Sequence, residues 1–374
     1  MKNYGARVNG TNGPVFLILF WCFLLIWVNG LGQANGDQKV VLITLDGLRW
    51  QELFSGADSL LVANKEYVND AEALHQRYWR ATATERRKVL FPFVWGEVAR
   101  MGQLYGNRDH GNKVDLTNRQ WFSYPGYNEI LTGRADDANI TSNDKINNPN
   151  RTVLEMVNNS VRHKGKVLAF GSWDVFPYII NRERSGIPVN AGYDLAKEPL
   201  TEKERVLNEL QPTIPKLWGS VRFDAFTHGY ALEGMKKHRP HLTYIAYGET
   251  DDFAHNGNYQ AYLESASTTD QFIGQLWEFV QTDPFYKDQT TFIITTDHGR
   301  GTVPLDTWQH HGDNIEGAGQ IWIMAFGKGV EARGEVTDAG QYHADQIAAT
   351  VLKLLGVHAN TVEMGTALDF VQYR

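Results

Sequence analysis

KVVLITLDG, residues 39–47, is a run of β-branched and other apolar residues that ends abruptly in Asp46 and Gly47. Its apolar residues are nearly continuous and do not alternate with polar ones, which is typical of a strand buried on both faces of a mainly parallel sheet. Four further runs of the same character follow along the chain, at residues 166–170, 242–247, 291–296 and 320–326. The sequence therefore predicts a buried, mainly parallel sheet.

Helical patterns separate these runs. Ile273, Leu276, Trp277 and Val280 have the spacing of one apolar helix face. Near the carboxyl terminus, Ile347, Val351 and Leu355 repeat every four residues before Gly356. Alternating strands and helices predict an α/β fold, a three-layer sandwich with helices on both faces of the sheet. Segments 50–118 and 175–240 lack strong strand signals and are interpreted as insertions that cap the sheet edge.

Composition excludes several classes of protein. The 374 residues include 36 Lys and Arg against 43 Asp and Glu, a formal net charge of −7, which argues against a broad basic surface for nucleic acid. A single cysteine, Cys22, excludes an intrachain disulfide framework and a multi-thiolate zinc site. Any bound metal must therefore be held by histidines and carboxylates.

The amino terminus has the features of a secretory signal peptide. Residues 15–28 are uncharged and apolar, Lys2 and Arg7 precede them, and small residues up to Ala34 follow. The run is shorter than the about 20 residues that a bilayer-spanning helix needs, so a retained anchor is the weaker alternative. We expect residues 1–34 to be removed on export, leaving residues 35–374 as a single catalytic domain, periplasmic or secreted, without a membrane span.

Acidic residues and histidines follow the predicted strands. Asp46 follows the first, Asp251 the third, and Asp297 with His298 the fourth. Ligands of open α/β sheets bind beyond the carboxyl ends of the strands, where these side chains would meet. Asp251 and His255 are four residues apart, which suits presentation to one ion from a single helical turn. Each pair alone also fits a capped turn with an exposed histidine, but together the pairs predict a metal centre.

Two further histidine positions are candidates. His343 opens the last predicted helix and is proposed as a ligand because the first ion lacks a third one, and catalytic zinc sites commonly use three protein ligands. His310 and His311 lie in a predicted loop, where they are either ordinary loop residues or, for His311 in particular, a contact to the substrate.

A predicted short helix begins at Ser123, with Pro125 in its first turn and Gly133 at its end. Ser123 is either the helix N-cap, a position that serine commonly occupies, or a nucleophile at a helix N-terminus that favours negative charge.

This ordered set of motifs resembles the alkaline phosphatase superfamily, and within it the type I phosphodiesterase/nucleotide pyrophosphatase-like metalloenzymes. The set is Asp46-Gly47, Ser123-Tyr124-Pro125, Asp251 with His255, Asp297-His298-Gly299 and His343. The resemblance runs from about residue 39 to 355. It implies an alkaline-phosphatase-like fold and an exported hydrolase of small phosphate esters.

The resemblance also implies two divalent metal ions, of which zinc is the expected identity. One ion would be held by Asp251, His255 and His343. The other would be held by Asp46, Asp297, His298 and the oxygen of Ser123. Ser123 would attack phosphorus to form a phosphoserine, and an asparagine some twenty residues later would bind a phosphoryl oxygen. Asn143 is at that distance, with Asn147 and Asn148 as alternatives.

Three alternatives stay open. Sulfatases of the superfamily carry Cys or Ser in C/S-x-P-x-R, and this chain has Tyr127 in place of the arginine, which makes a sulfatase-like sulfuric ester hydrolase the second candidate. A catalytically silent binding protein on the same fold is the third, because a fold alone does not establish activity. A mutase is possible within the superfamily, but no feature of the sequence favours it.

Overall fold

The computed structural model describes residues 38–358 and 364–370, together with Gly5 and Gly10. Apart from these two glycines, the predicted signal peptide at residues 1–34 lies outside the described residues, so its removal stays a prediction. Among the helices that are described, none combines the length and the apolarity needed to cross a bilayer.

The described strands form one large and one small sheet. In chain order they are β1 (Lys39–Leu45), β2 (Gly102–Tyr105), β3 (Asn112–Asp115), β4 (Val167–Gly171), β5 (Val189–Ala191), β6 (Leu242–Tyr247), β7 (Thr290–Thr296), β8 (Gln320–Ile321), β9 (Ile323–Gly327), β10 (Gly334–Glu335) and β11 (Gly340–His343). The large sheet has the order β10-β2-β9-β7-β1-β6-β4-β5, and only β9 runs antiparallel to its neighbours. The small sheet has the order β11-β3-β8.

The described α-helices fill the connections between strands. They are α1 (Trp50–Ser55), α2 (Ser59–Val62), α3 (Ala71–Tyr78), α4 (Ala83–Leu90), α5 (Ala99–Met101), α6 (Ser123–Thr132), α7 (Val153–Asn159), α8 (Phe176–Ile179), α9 (Arg182–Ser185), α10 (Glu202–Leu210), α11 (Asp224–His238), α12 (Glu249–His255), α13 (Tyr259–Thr282) and α14 (Gln346–Leu355). A π-helical turn spans Val94–Val98, and 3₁₀ turns span Arg108–His110, Gln211–Thr213 and Leu305–Gln309.

Alternate residues of β1 enter two separate hydrophobic cores. Val41 and Ile43 pack into one core with α11 and α13, whereas Val40 and Leu42 pack into the other with α6, α7 and α14. All seven residues of β1 are buried, as expected for a strand covered on both faces. The predicted α/β three-layer sandwich with a mainly parallel sheet is confirmed.

The two helices predicted from periodicity are also confirmed. Ile273, Leu276 and Val280 are buried on α13, and α14 ends at Leu355 before Gly356, whose φ is 64°. The segments interpreted as insertions are not free of strands: residues 50–118 contain β2 and β3, and residues 175–240 contain β5. These strands lie away from the central strands of the large sheet.

Strand order and register determine where the site lies. β7, β1 and β6 are adjacent and parallel, and Leu45 of β1 is level with both Tyr247 of β6 and Thr296 of β7. The chain therefore leaves all three strands at the same height. The residues that follow them, Asp46, Gly248 and Asp297, begin at one edge of the sheet.

Candidate active site

The first group of candidate metal ligands, called the first ligand group below, lies where β1 and β7 end. Asp46 and Asp297 are 5% and 0% exposed, and His298 beside them is completely buried. His298 Nε2 lies 3.3 Å from Asp46 Oδ1 and 3.6 Å from Asp297 Oδ2. Neither of these two carboxylate oxygens has a hydrogen-bond partner among the described residues. Buried oxygens without partners are costly unless a cation or a proton offsets their charge.

The ionisation of these groups reflects the crowding of negative charge. Burial, followed by the charge of a neighbouring carboxylate, raises the pKa of both Asp46 and Asp297. Burial alone would lower the pKa of His298, but the charges of Asp297 and Asp46 raise it to about 9. These residues form a site with excess negative charge, which fits a divalent cation.

We expect the chain, once stripped of metal by a chelator, to become less stable as pH rises from about 7 to 9. A carboxyl group whose pKa is higher in the folded state binds its proton more tightly there. Ionisation of Asp46 and Asp297 therefore lowers the free energy of unfolding. The pKa of His298 is about 9 in the folded chain, against an ordinary value of 6.5, so its contribution to the free energy of unfolding is also lost as pH rises. Thermal denaturation should show Tm falling by on the order of 5 °C. A Tm that rises over this pH interval would contradict the excess of negative charge around Asp46, Asp297 and His298.

The second ligand group consists of Asp251, His255 and His311. His255 Nε2 lies 3.3 Å from Asp251 Oδ2 and 2.9 Å from His311 Nε2, and His311 Nε2 lies 3.7 Å from Asp251 Oδ1. One potential ligand atom from each residue falls within 4.8 Å of the others. Burial, followed by the charge of His298, lowers the pKa of His311 well below its usual value. The lowered pKa favours the neutral imidazole of His311, which is the form that binds metal.

Asp251 belongs to both groups. Its Oδ1 lies 3.7 Å from His298 Nε2, and Asp46, Asp251 and His298 also meet the spacing of a metal-binding set. Asp251 and His255 are presented by α12, one helical turn apart, as the spacing of four predicted. Gly248 is the N-cap of α12, so the alternative in which Asp251 caps the helix is wrong.

The structure corrects the position assigned to His343. His343 is the last residue of β11 in the small sheet, where its backbone N–H donates to Gln346 Oε1 at 2.9 Å. Among the described residues it belongs to neither ligand group. The expected helix begins three residues later, at Gln346, because the preceding residues pair with β3. His311, which the sequence offered as either an ordinary loop residue or a substrate contact, lies beside Asp251 and His255 in the second ligand group.

Ser123 is the first residue of α6, and the N-cap is Phe122, whose side chain makes no capping hydrogen bond. The capping interpretation of Ser123 is therefore wrong. Ser123 is 5% exposed, and its Oγ lies 3.5 Å from His298 Nε2. Gly126 allows this approach, because a Cβ there would lie 2.1 Å from the backbone oxygen of Asp297. The serine oxygen thus faces the first ligand group at a helix N-terminus.

Tyr127, one helical turn after Ser123, was not identified as a site residue from the sequence. Its hydroxyl donates to Asp46 Oδ2 at 2.8 Å, and its side chain is completely buried. The bond leaves Asp46 Oδ1 as the oxygen that faces His298. The only signal in the sequence was that Tyr127 occupies the position at which the sulfatase motif C/S-x-P-x-R has its arginine.

The three candidate asparagines differ in their surroundings. Asn143 Oδ1 accepts from the backbone N–H of Tyr124 at 2.9 Å, next to the candidate nucleophile. Asn147 Nδ2 donates to Glu183, and Asn148 is completely buried, with its Nδ2 donating to Asn128 Oδ1 and the oxygen of Ile179. Of the three, only Asn143 forms a hydrogen bond with the start of α6.

Residues 123–366 match the model of a family described as type I phosphodiesterase/nucleotide pyrophosphatase. A curated relative, the 2,3-bisphosphoglycerate-independent phosphoglycerate mutase of Nostoc punctiforme, is 31% identical over 137 residues. That match covers 33% of this chain and 23% of the relative, so the chain spans about a quarter of the relative's length.

Two solved structures share the fold at low sequence identity. The alkaline phosphatase PafA has a TM-score of 0.57 at 10% identity, with 89% of this chain and 99% of that chain covered. The lipoteichoic acid synthase LtaP from Listeria monocytogenes has a TM-score of 0.56 at 12% identity, with 90% and 76% covered. These similarities confirm the predicted alkaline-phosphatase-like fold.

Proposed function

Since this chain belongs to the type I phosphodiesterase/nucleotide pyrophosphatase family, we propose that it is a metal-dependent hydrolase of phosphate esters that acts through a phosphoserine intermediate. The observation that carries the proposal is the position of Ser123, whose Oγ lies 3.5 Å from His298 Nε2 at the edge of two adjoining ligand groups. A serine in this place has carboxylates and imidazoles around it and a helix N-terminus behind it. The helix N-terminus favours negative charge on the serine oxygen, and cations held by the carboxylates and imidazoles would offset the carboxylate charge that otherwise opposes it.

The residues present fit two divalent ions. Asp46, Asp297, His298 and the Ser123 oxygen would hold one, and the two buried carboxylate oxygens that have no hydrogen-bond partner among the described residues would supply its negative ligands. Asp251, His255 and His311 would hold the other, in place of the set with His343 that the resemblance implied. Nitrogen and oxygen ligands without thiolate suit zinc. When bound, a metal pair offsets the charge of the phosphoryl group and stabilises the attacking and leaving oxygens.

The chain's own residues would then carry out two displacements. Ser123 Oγ gives up its proton and attacks phosphorus, the bond from phosphorus to the leaving oxygen breaks, and that oxygen departs with the electron pair and takes up a proton to become the alcohol. Water next gives up a proton and attacks the phosphorus of the phosphoserine, the bond from phosphorus to Ser123 Oγ breaks, and Oγ takes up a proton, which releases the phosphoryl product and restores Ser123. Asn143, whose Oδ1 is occupied by the Tyr124 N–H, would use Nδ2 to donate to a phosphoryl oxygen.

A substrate panel tests the reaction class. The zinc-loaded protein is assayed on an aryl phosphate monoester, the corresponding diester and an aryl sulfate, with and without chelator. We expect chelator-sensitive turnover of at least one of the phosphate esters and little turnover of the sulfate. Turnover confined to the sulfate would favour the sulfatase alternative, and turnover of none would favour a binding protein.

Exchange of the two histidines tests the ligand set directly. We expect His311→Ala to weaken zinc binding at least about 10-fold, since even residues that only orient metal ligands account for 10–100-fold. His343→Ala should leave zinc binding and turnover close to wild type, because His343 lies in neither group. Zinc titration against a chromophoric chelator measures both variants. The reverse ranking would restore His343 as the ligand.

We also propose that the protein is exported, with residues 1–34 removed and residues 35–374 retained as one catalytic domain. The proposal is supported by the apolar run 15–28, its preceding basic residues and the small residues up to Ala34. Mass spectrometry of the protein recovered from the medium or periplasm tests it. A recovered chain that begins at Met1 would contradict cleavage.

A further inference from the structure

Arg300 is a completely buried cation at the candidate active site. Its guanidinium Nε donates to the backbone oxygen of Gly47 at 3.0 Å, and Nη1 donates to that of Gln309 at 2.8 Å. Nη2 donates to the backbone oxygen of Asp251 at 3.2 Å and also to the Asp251 carboxylate. A buried guanidinium is costly unless its donors are occupied, and all three nitrogens have partners here.

These partners belong to the segments that carry the proposed metal ligands. Gly47 follows Asp46, Gln309 precedes His311 by two residues, and Arg300 itself follows His298 by two. Asp251 is the residue that both ligand groups share. One planar side chain therefore connects every segment that carries a proposed carboxylate or imidazole ligand. A guanidinium suits this role because its donors point in fixed directions, which a lysine cannot reproduce.

Gly47 shows how closely the site is built around this side chain. A Cβ at residue 47 would lie 2.8 Å from Arg300 Nη2, 2.9 Å from its Nε and 3.0 Å from Asp251 Oδ1. The backbone there also has φ of 59°, which favours glycine. The turn after β1 thus leaves room for the guanidinium directly beside the shared carboxylate.

We propose that Arg300 is a positioning residue for the metal centre, which holds Asp251 by one carboxylate oxygen so that the other faces His255. This rests on the proposed function, because it assumes that Asp251 binds metal. With Asp251 Oδ1 engaged by Nη2, Oδ2 is the oxygen at 3.3 Å from His255 Nε2. The bonds to Gly47 and Gln309 fix the neighbouring ligand segments in the same way. Arg300 acts through these residues and does not itself contact substrate.

A buried arginine elsewhere in the chain provides a matched control. Arg222 is also completely buried, and its guanidinium donates to the backbone oxygens of Asn190 and Asp194 and to Thr227 Oγ1. None of these partners is a proposed ligand or next to one. Arg222→Lys therefore removes a similar number of buried hydrogen bonds without touching the metal centre.

The experiment compares zinc binding by Arg300→Lys, Arg222→Lys and the wild-type chain, each stripped of metal and titrated with zinc against a chromophoric chelator. We expect both variants to unfold at a lower temperature, but only Arg300→Lys to bind zinc 10–100-fold more weakly. Raised zinc should restore part of its turnover, which loss of folding would not allow. Wild-type zinc affinity in a folded Arg300→Lys would overturn the inference and leave the proposed function intact. A wild-type chain that binds no zinc would contradict the proposed function itself.

If Arg300→Lys does not fold, a crystal structure of the zinc-loaded wild-type chain decides the matter. We expect Arg300 Nη2 to lie within hydrogen-bond distance of the Asp251 carboxylate oxygen that does not face the ion. Arg300 should also still donate to the backbone oxygens of Gly47 and Gln309. A guanidinium that has left Asp251 in that structure would overturn the inference.

Discussion

Ser123→Ala is expected to lose at least about 10³-fold in kcat/KM on aryl phosphate esters, because removal of a nucleophile abolishes the covalent route and leaves only binding and electrostatic stabilisation. Ser123 is nearly buried, and its Oγ lies beside His298 Nε2. The loss of one oxygen atom at the first position of α6 removes no capping hydrogen bond. Stability should therefore change little, and the effect should be confined to turnover.

Ser123→Thr is the matched variant, because it keeps a hydroxyl oxygen at the same position. We expect it to retain far more turnover than Ser123→Ala. Wild-type protein quenched during turnover should yield a peptide containing Ser123 with one added phosphoryl group, and the alanine variant should yield none. Full turnover by Ser123→Ala would remove the nucleophile assignment and with it the phosphoserine intermediate.

Asp297→Asn is expected to lose zinc at the first ligand group and at least about 10²-fold in turnover, since removal of a single group that stabilises the transition state electrostatically costs about 10²–10³-fold. The amide has the shape of the carboxylate, so its oxygen can still accept from the Gly47 N–H, now 3.1 Å from Asp297 Oδ1. What the variant loses is the negative charge and the anionic character of Oδ2, an oxygen that accepts no hydrogen bond from the described residues.

The same substitution should stabilise the metal-free protein. Burial and the charge of Asp46 raise the pKa of Asp297 well above its usual value, which means that its ionised form opposes folding. Removing that charge should raise Tm in the presence of chelator at pH 8 while zinc binding and turnover fall. Loss of function together with increased stability is the signature of a ligand group strained by its own charge. A variant that is less stable without metal and still binds zinc at wild-type affinity would contradict this assignment.

Asp270→Asn serves as the control for a buried carboxylate outside the site. Asp270 accepts from the backbone N–H groups of Phe93 and Val94 at 2.8 and 2.9 Å, and burial raises its pKa to about 7. We expect this variant to keep wild-type zinc affinity and turnover, whatever its effect on Tm.

The central strands could be predicted closely from the sequence. The bounds expected for β1 and β6 agree with the structure, those for β7 differ by one residue at one end, and those for β4 differ by one residue at each end. These strands lie in the interior of the sheet, where burial on both faces demands long apolar runs. The run at residues 320–326 is instead divided at Trp322 into β8 and β9, which belong to different sheets.

Short strands with little apolar sequence were not predicted. β10 has only two residues, and β3 and β11 alternate or expose polar side chains. Such strands form because a neighbouring strand offers hydrogen bonds, and that neighbour is distant in the sequence. The unpredicted strand β11 is also why His343 was expected at the start of a helix.

By itself, the sequence determined that Asp46, Asp251 and Asp297 would meet at one edge of a parallel sheet, because each directly follows or closely follows a buried strand. It also determined that α12 would present Asp251 and His255 together, since four residues make about one turn of a helix. Local periodicity contains this information.

Only the tertiary structure placed His311, and not His343, beside Asp251 and His255, because neither histidine follows a strand of the large sheet and the position of each depends on how other segments fold over it. The same holds for Tyr127 and Arg300, whose partners Asp46 and Asp251 are remote in the chain. No sequence spacing identifies a side chain that orients a metal ligand, because its hydrogen bond joins elements that are distant in the chain and meet only through packing. Direct placement by a strand or helix can be predicted from sequence, whereas contacts between separate elements are decided by their packing.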